Sequence, residues 1–346
     1  MNEFKEKEWK VLVSCITFNH APYIEDAMNG FCMQQTNFPF VCVILDDAST
    51  DGEQDVLNSF LQTNFDMEDD TSARIEETDD YIVKFARHRT NRNCYFAVFF
   101  LKYNHFRKKD NSAYYKELVD NSKYIAICEG DDYWIDRYKL GRQIEFLESN
   151  PDYVMCFHNA IVRSQNHSRP DYIMRNFESG DFDTTLLFKK WQLPTASLVY
   201  RRNVYNSPIY INRPKGYPGD MTMFYILSCI GKVYGISECM SVYRLHPGGI
   251  SNAMSKGYCL QLQYNFAKEI GNPQAIKHTG WVIKNALFIF FPKWLMRKEE
   301  AKEIYGMAWS SDRKLFIGAF LKIICLWPFL MIKRIIRALW PFKKKR

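Results

Sequence analysis

Short apolar segments alternate with amphipathic segments along the first 250 residues. The runs VLVSCI at 11–16, FVCVIL at 40–45 and YIAIC at 124–128 have the length and composition of buried strands. Between the first two runs, PYIEDAMNGFCMQQ carries apolar residues at helical spacing, with Pro22 suited to a first turn. The alternation predicts an α/β fold with a mostly parallel sheet and helices on both faces.

The same patterns predict the other elements. A strand is expected at 153–158 and helices over 258–310. The segment 62–123 is less regular: the acidic stretch 66–80 is interpreted as an exposed loop or short helix, and CYFAVFFLKYNHF at 94–106 as an aromatic helix. Further helices are expected in DRYKLGRQIEFLESNP and MTMFYILSCIG.

Composition narrows the class of protein. The 346 residues are 47% hydrophobic, enough for a sizeable core, and the ten cysteines form no CxxC pair, which favours reduced thiols over a disulfide framework or zinc site. Ten of the 46 Lys and Arg lie in 313–346, which has no acid, so the other 36 face 39 Asp and Glu. A nucleic-acid-binding surface on the globular part is therefore not expected. The charged start MNEFKEKEWK does not resemble a secretory signal, which favours the cytoplasm.

Two acidic clusters directly follow predicted strands. Asp46 and Asp47 end the second run in LDDASTDG, and Glu129, Asp131 and Asp132 follow the third in EGDDYW. Like charges this close repel, and burying them is costly unless a cation or hydrogen-bond donors compensate. Since open α/β sheets bind ligands at the carboxyl ends of their strands, we expect a divalent metal site there; a solvated acidic turn is the alternative.

The ordered motifs resemble inverting glycosyltransferases of family 2, which have the GT-A fold. V-S-x-x-T-F-N, L-D-D-A-S-T-D-G, E-G-D-D-Y-W, K-L-x-x-Q, G-D and Y-R-x-H follow one another within residues 9–250. The resemblance implies a catalytic domain at 1–250, with a nucleotide-binding half near 9–150 and an acceptor half near 151–250. A helical extension at 251–312 and a basic amphipathic tail at 313–346 follow. The implied donor is a nucleotide-diphosphate sugar, with UDP favoured, and the implied cofactor is Mn²⁺ or Mg²⁺.

The resemblance also implies roles for single residues. The D-x-D motif of the family falls on Glu129-Gly130-Asp131, where glutamate replaces the first aspartate and contacts either the ribose or the metal. The aspartate that binds base and ribose matches Asp47 or, as the alternative, Asp46. The implied nucleotide-sugar-binding residues are Thr17, Asn19, Asp46, Asp47, Ser49, Glu129, Gly130 and Asp131.

Catalysis and metal binding are assigned in the same way. Asp220 matches the family's catalytic base, although it could also simply cap a helix. Asp131 is the expected metal ligand, which agrees with the preference of Mg²⁺ and Mn²⁺ for carboxylate and phosphate oxygens, and His246 is expected to contact the metal or the diphosphate. Arg244 is expected to pair with phosphate or with a structural acid, and His20 to be a packing residue. The residues expected to contact the acceptor or orient the site are Asp132, Trp134 and Thr195.

The tail LFIGAFLKIICLWPFLMIKRIIRALWPFKKKR is apolar and basic. Lys322 near its middle disfavours a transmembrane span, so we expect a helix lying on an anionic membrane surface; a soluble packed helix and a true span are the alternatives. The protein is then expected on the cytoplasmic face of the inner membrane, with a lipid-linked saccharide acceptor, in synthesis of a bacterial capsule or O-antigen.

Two other functions remain open from the sequence. Clustered aspartates also serve metal-dependent phosphohydrolases and nucleotidyltransferases, which would turn over nucleotides without an acceptor and would not require Asp220. A non-catalytic sugar-nucleotide-binding scaffold at the membrane would tolerate loss of Asp131 and Asp220. The presence of both acids favours the transferase.

Overall fold

The structure, a computed structural model, describes residues 7–68, 73–105, 111–166, 168–184, 193–249 and 255–339. These residues fall into two compact units. The first contains the described parts of Met1–Thr184, Gln192–Arg213 and Pro218–His246. The second contains Pro214–Tyr217 and the described residues from Pro247 onward.

The described strands all belong to one sheet in the first unit. Their bounds are β1 Trp9–Thr17, β2 Phe40–Asp46, β3 Ala73–Glu77, β4 Tyr81–Arg87, β5 Cys94–Leu101, β6 Ser122–Ile127, β7 Tyr133–Trp134, β8 Tyr153–Ser164, β9 Tyr172–Ile173, β10 Gly180–Asp181, β11 Val199–Arg201 and β12 Lys232–Leu245. The central strands β1, β2 and β5 are mostly apolar and buried, as expected for a sheet covered by other elements.

The strand order is β10-β12-β8-β11-β6-β1-β2-β5-β4-β3, with β7 paired to β12 and β9 to β8. The four central strands β6, β1, β2 and β5 are parallel, and so are β8 and β12. The pairs β3–β4, β4–β5, β11–β6 and β11–β8 are antiparallel. The predicted α/β class is confirmed, and the sheet is parallel at its centre and mixed on its flanks. This order brings the ends of β6, β1 and β2 to one edge.

The predicted helix at 94–106 is wrong, because Cys94–Leu101 is strand β5, paired with β2 and β4. All eight of its residues are buried, and a continuous apolar run does not distinguish a fully buried strand from a helix. The interpretation of 66–80 as loop or short helix is also wrong in part. Ala73–Glu77 forms the edge strand β3, whose short, charged sequence is typical of an edge.

The first two helices of the first unit bury apolar faces in the core of the sheet. Ile24, Met28 and Phe31 of α1 lie in the core with Leu57 and Leu61 of α2. The first of them, α1, connects the parallel strands β1 and β2, as the βαβ pattern predicted. The bounds of the helices in this unit are α1 Ile24–Cys32, α2 Glu53–Asn64, α3 Lys116–Asp120, α4 Lys139–Ser149, α5 Pro208–Ile211 and α6 Gly219–Ile230.

The second unit is helical, as predicted for 258–310. Tyr264, Leu287, Ile304 and Ile323, one from each helix, lie in one apolar core, so the last helix packs on the three before it. None of the described helices combines the length and the hydropathy that crossing a bilayer requires. Their bounds are α7 Lys256–Glu269, α8 Pro273–Leu295, α9 Glu299–Ser311 and α10 Arg313–Leu339.

Candidate functional site

The ends of β1 and β6 approach each other closely. The backbone N–H of Gly130 donates to Ile16 O at 3.2 Å, which extends the pairing of the two strands beyond β6. A Cβ atom at Gly130 would lie 2.2 Å from Thr17 Oγ1, far inside van der Waals contact. Glycine is therefore required between Glu129 and Asp131, and it lets the EGDD segment lie directly against Thr17.

A buried carboxylate connects the loops after β1 and β2. The Thr17 hydroxyl donates to Glu53 Oε1, and the backbone N–H of His20 and the hydroxyl of Ser49 both donate to Oε2 at 2.8 Å. Burial raises the pKa of Glu53, and these three donors oppose the rise. Sequence analysis missed Glu53. Its position directly after Asp51-Gly52, in the first turn of α2, was the available signal.

Asn19 and Ser49, both predicted nucleotide-binding residues, hold the two loops together. The backbone N–H of Asn19 donates to Ser49 Oγ, and the backbone N–H of Thr50 donates to Asn19 Oδ1, both at 2.8 Å. Asn19 has a φ of 56°, in the left-handed region that asparagine tolerates better than most residues. The predicted Thr17, Asn19 and Ser49 therefore form one hydrogen-bonded rim.

Asp46 and Asp47 are both buried and hydrogen-bonded within the protein. Asp46 accepts from the Ser49 backbone N–H at 3.2 Å and from Gln54 Nε2 at 2.5 Å. Burial raises the pKa of Asp46, and these hydrogen bonds oppose it. Asp47 Oδ1 accepts from the backbone N–H of His105 at 2.7 Å. Their contacts in this structure shape the loop, and the nucleotide contact assigned to Asp47 stays a prediction.

The acids after β6 have a different environment. Burial, and then the charges of Asp131 and Asp220, raise the pKa of Glu129 to about 8. Glu129 is thus mostly protonated at neutral pH while no cation is bound. The charge of Asp220 contributes to this rise in pKa, so the first turn of α6 lies within electrostatic range of the EGDD segment. Asp220 is half-buried, its Oδ1 accepts from the backbone N–H of Met221 at 2.7 Å, and burial raises its pKa.

Asp131 lies between two histidines. His246 Nε2 is 3.0 Å from Asp131 Oδ2, and His20 Nε2 is 3.9 Å from the same oxygen. Burial raises the pKa of Asp131, but the hydrogen bond with His246 contributes to a net pKa below the ordinary value. One donor atom from each of the three residues lies within 4.8 Å of the other two. The structure thus brings the predicted pair Asp131 and His246 together and adds His20, which was expected only to pack.

Asp132 and Arg244 hold the backbone around Asp131 in place through hydrogen bonds. Asp132 is 3% exposed, and its Oδ1 accepts from the Arg244 backbone N–H at 2.8 Å. The Arg244 guanidinium donates to Asp131 O at 2.8 Å and pairs with Asp26 Oδ2 at 2.7 Å. Of its two predicted roles, Arg244 has the pairing with a structural acid. Asp132 is placed to orient the segment rather than to touch a ligand.

Trp134 is 1% exposed, and its indole Nε1 donates to Ala196 O at 2.8 Å. The indole is too deeply buried to contact a sugar acceptor in this structure. Its hydrogen bond instead holds the turn Thr195–Ser197 in place. Thr195 itself is half-buried at the start of that turn. The buried Gln143 also supports the turn, since its Nε2 donates to Ser197 O at 2.8 Å.

The donor set at the sheet edge fits a divalent cation. Asp131 supplies carboxylate oxygen and is 22% exposed, so an ion has access from solvent, while His20 and His246 supply imidazole nitrogen. Oxygen and nitrogen donors of this kind bind Mn²⁺ and related ions. A cation would also offset the repulsion between Asp131 and Glu129 that the raised pKa of Glu129 reports.

Comparison with known proteins gives distant relatives. No protein-family model matches the sequence. Uncharacterized protein Rv1520 of Mycobacterium tuberculosis is 28% identical over 238 residues, which cover 68% of this chain but only 58% of the relative. The uncharacterized glycosyltransferase alr2836 of Nostoc sp. is 25% identical, covering 71% of this chain and 67% of the relative. The putative teichuronic acid biosynthesis glycosyltransferase TuaG of Bacillus subtilis is 24% identical, over 70% of this chain and 83% of the relative.

Solved structures share the fold. TarS of S. aureus (residues 1–349), in complex with UDP-GlcNAc, has a TM-score of 0.53 at 13% identity, covering 88% of this chain and 82% of that one. The mannosyltransferase PcManGT of Pyrobaculum calidifontis, with GDP-Man and Mn²⁺, has a TM-score of 0.50 at 14% identity, covering 98% and 89%. By sequence the chain is thus a distant relative of glycosyltransferases, and it has the fold of the solved ones.

Proposed function

We propose that the protein is a metal-dependent inverting glycosyltransferase that moves a sugar from a nucleotide-diphosphate sugar, favouring UDP, to a saccharide hydroxyl. One observation carries the proposal: Asp131 lies with two histidines at the carboxyl ends of the central strands, and the charges of Asp131 and Asp220 both act on Glu129. Open α/β sheets bind ligands at this edge. The distant glycosyltransferase relatives support the same reaction class.

Some of these residues are placed to bind the donor, and one is placed to take part in the reaction. The rim formed by Thr17, Asn19 and Ser49 is placed to frame the nucleoside. The cation held at Asp131 would neutralise charge on the departing diphosphate. Asp220, whose pKa burial raises, takes the proton of the acceptor hydroxyl as the oxygen attacks the anomeric carbon. The bond between that carbon and the diphosphate breaks in the same displacement, so the configuration inverts.

A donor screen tests the reaction class. Release of nucleoside diphosphate is measured from a panel of UDP- and GDP-sugars, with Mn²⁺ or Mg²⁺, with and without a lipid-linked saccharide acceptor. We expect one donor to be consumed, faster with acceptor, and a glycosidic product of inverted configuration by NMR. Turnover equally fast without acceptor would indicate a hydrolase instead.

Asp220→Asn tests the base. Because asparagine cannot take up the proton, transfer should fall by about 10²–10⁴-fold while donor affinity is retained. The matched control is Asp152→Asn, an exposed acid that precedes β8. An undiminished rate in Asp220→Asn would remove the base assignment without removing the metal site.

The acceptor is proposed to be lipid-linked, at the cytoplasmic face of the inner membrane, as in assembly of a bacterial capsule or O-antigen. The support lies in α10, where Ile317, Leu321, Ile324 and Leu326 are each about half exposed while Ala319 and Ile323 face the core. Lys and Arg residues are interspersed in the same helix, a composition that binds anionic interfaces. The tail residues 340–346, including Trp340 and Phe342, lie outside the described residues.

Vesicle sedimentation tests this attachment. The full chain should pellet with phosphatidylglycerol vesicles, and Leu321→Glu should release it, whereas Glu299→Gln on α9 should not. Pelleting that is independent of both lipid charge and Leu321 would exclude α10 as the contact.

A further inference from the structure

His20 occupies a place in the site that the family resemblance does not explain. It follows β1, its side chain is 17% exposed, and it faces Asp131 across the edge where β1 and β6 end. Its ring also lies 5.8 Å from that of His246, centroid to centroid, at 88°. Packing alone would account for these ring contacts, but not for the orientation of its nitrogen atoms.

The hydrogen bonds around Thr17 fix the tautomer of His20. The Thr17 hydroxyl has a single proton, and it is donated to Glu53 Oε1. The 3.1 Å contact between Thr17 Oγ1 and His20 Nδ1 therefore requires Nδ1 to be the donor. The neutral ring then carries its proton on Nδ1, and Nε2 presents a lone pair towards Asp131. Histidines that bind metals are typically held this way, with the other ring N–H donated to a fixed acceptor.

The distances from Asp131 to the two histidine nitrogens are compatible with a shared ion. Two ligands of one ion, each about 2.1 Å from it, can be at most about 4.2 Å apart. Asp131 Oδ2 lies 3.0 Å from His246 Nε2 and 3.9 Å from His20 Nε2, both inside that limit. The backbone of His20 is anchored by its own N–H, which donates to Glu53 Oε2 at 2.8 Å. Ring and backbone are thus both positioned by the one buried carboxylate.

We propose that His20 is a direct protein ligand of the cation, beside Asp131 and His246, and that Thr17 and Glu53 are its positioning residues. The proposal rests on the metal site of the proposed function and identifies the class of ion. Two imidazoles and one carboxylate favour a transition-metal ion such as Mn²⁺ over Mg²⁺, which prefers all-oxygen coordination.

Mn²⁺ binding to the full chain, without donor or acceptor, tests the proposal. The free-ion EPR signal is titrated to obtain the dissociation constant, and electron spin echo modulation of the bound ion resolves ¹⁴N couplings. The wild type should show two histidine nitrogens. His20→Ala should show one and bind Mn²⁺ at least about tenfold more weakly. His278→Ala, in α8, is the matched control and should change neither measurement.

Thr17 variants separate ligation from folding. Thr17→Val keeps the ring of His20 but removes the acceptor for its Nδ1–H and one donor to Glu53, so Mn²⁺ affinity should fall about 10–100-fold. The melting temperature should also fall, while the circular dichroism spectrum stays that of the folded protein. Thr17→Ser keeps the hydroxyl and should restore the affinity. An excess of Mg²⁺ should displace Mn²⁺ poorly from the wild type and more readily from His20→Ala.

Two results would overturn the proposal: a single ¹⁴N coupling in the wild type, or unchanged Mn²⁺ affinity in both His20→Ala and Thr17→Val. Failure of the proposed function would look different. A protein that binds Mn²⁺ through two histidines yet consumes no nucleotide sugar would keep the ligand assignment and lose the transferase. A protein that transfers sugar but binds Mn²⁺ equally well without His20 would keep the transferase function and lose the ligand assignment.

Discussion

The acids that follow β2 and those that follow β6 lie at the same edge of the sheet but have different partners. Asp46 and Asp47 accept hydrogen bonds from backbone N–H groups of Ser49 and His105. In the EGDD segment, burial and neighbouring carboxylates raise the pKa of Glu129 to about 8. Asp131 there is hydrogen-bonded to the side chain of His246. The first cluster is satisfied by the chain itself, whereas in the second Asp132 accepts from the Arg244 backbone N–H while Glu129 and Asp131 repel each other.

This difference indicates what each cluster contributes. A carboxylate held by fixed backbone donors stabilises a loop, and replacing it exposes those donors without an acceptor. Neighbouring carboxylates that repel each other can instead be stabilised by a bound cation. We therefore interpret the loop after β2 as the frame of the site and the segment after β6 as its metal-binding part.

The largest effect is expected for Asp131→Asn. Without this carboxylate the cation should be lost and transfer should fall by about 10³-fold or more, because charge on the departing diphosphate is no longer neutralised. Stability without metal should hardly change, because the lost attraction to His246 and the removed repulsion with Glu129 oppose each other. Turnover and thermal unfolding with and without Mn²⁺ measure both effects.

Asp46→Asn is the counterpart from the first cluster. It should cost about 1–3 kcal/mol of stability, because a buried acceptor of the Ser49 N–H and Gln54 is weakened, and it should keep Mn²⁺ affinity. If Asp46→Asn lost the metal and Asp131→Asn lost the stability, the division between frame and metal-binding part would be reversed.

Gly130→Ala is expected to have the next largest effect on stability and Mn²⁺ binding. Its Cβ would lie 2.2 Å from Thr17 Oγ1 and 2.7 Å from Thr17 Cβ, so the segment or Thr17 must move, at about 3 kcal/mol. The movement should also weaken Mn²⁺ binding, because Thr17 positions His20. Gly141→Ala in α4 is the control: its nearest neighbour would be 3.6 Å away, and alanine favours a helix. Equal behaviour of both variants in urea unfolding would contradict the close approach.

The sequence predicted the α/β class, the βαβ start and the shared edge because apolar runs and the acids behind them are local signals. It did not distinguish strand β5 from a helix, since eight consecutive buried residues carry no period. It also missed Glu53 and His20. Their roles depend on Thr17, which is 36 residues from Glu53 along the chain but joined to it by a hydrogen bond. Such contacts arise only when the strand order brings β1 beside β2.

Lys139 is a buried basic residue at the start of α4, which follows the second cluster in sequence. Lys139 is fully buried, its Nζ donates to Gln143 Oε1 at 2.8 Å, and burial lowers its pKa from 10.5 to about 7. Between these values the unfolded chain keeps the proton that the folded protein has lost, so wild-type stability rises with pH. Relative to Lys139→Met, the rise should be up to about 1.4 kcal/mol per pH unit.

Urea unfolding at pH 7, 8 and 9 measures that difference, with Lys232→Met, at an exposed position, as the control. The expected slope means that Lys139 is largely neutral above pH 7 and does not balance the acids after β6. A flat difference would show that Lys139 stays charged in the folded protein.

The smallest effect is expected for Ser49→Ala, in the frame of the site. Ser49 Oγ accepts from the Asn19 backbone N–H and donates to Glu53, each at 2.8 Å, so its loss should cost about 1 kcal/mol of stability. Glu53 keeps its bonds from Thr17 and His20, so Mn²⁺ affinity should change by no more than about threefold, far below the loss that removing a positioning contact causes. Calorimetric titration with Mn²⁺ and thermal unfolding of the same preparation separate the two quantities. A loss of affinity as large as that of Thr17→Val would mean that the loop after β2 holds the metal ligands directly, and that frame and metal-binding part are one structure.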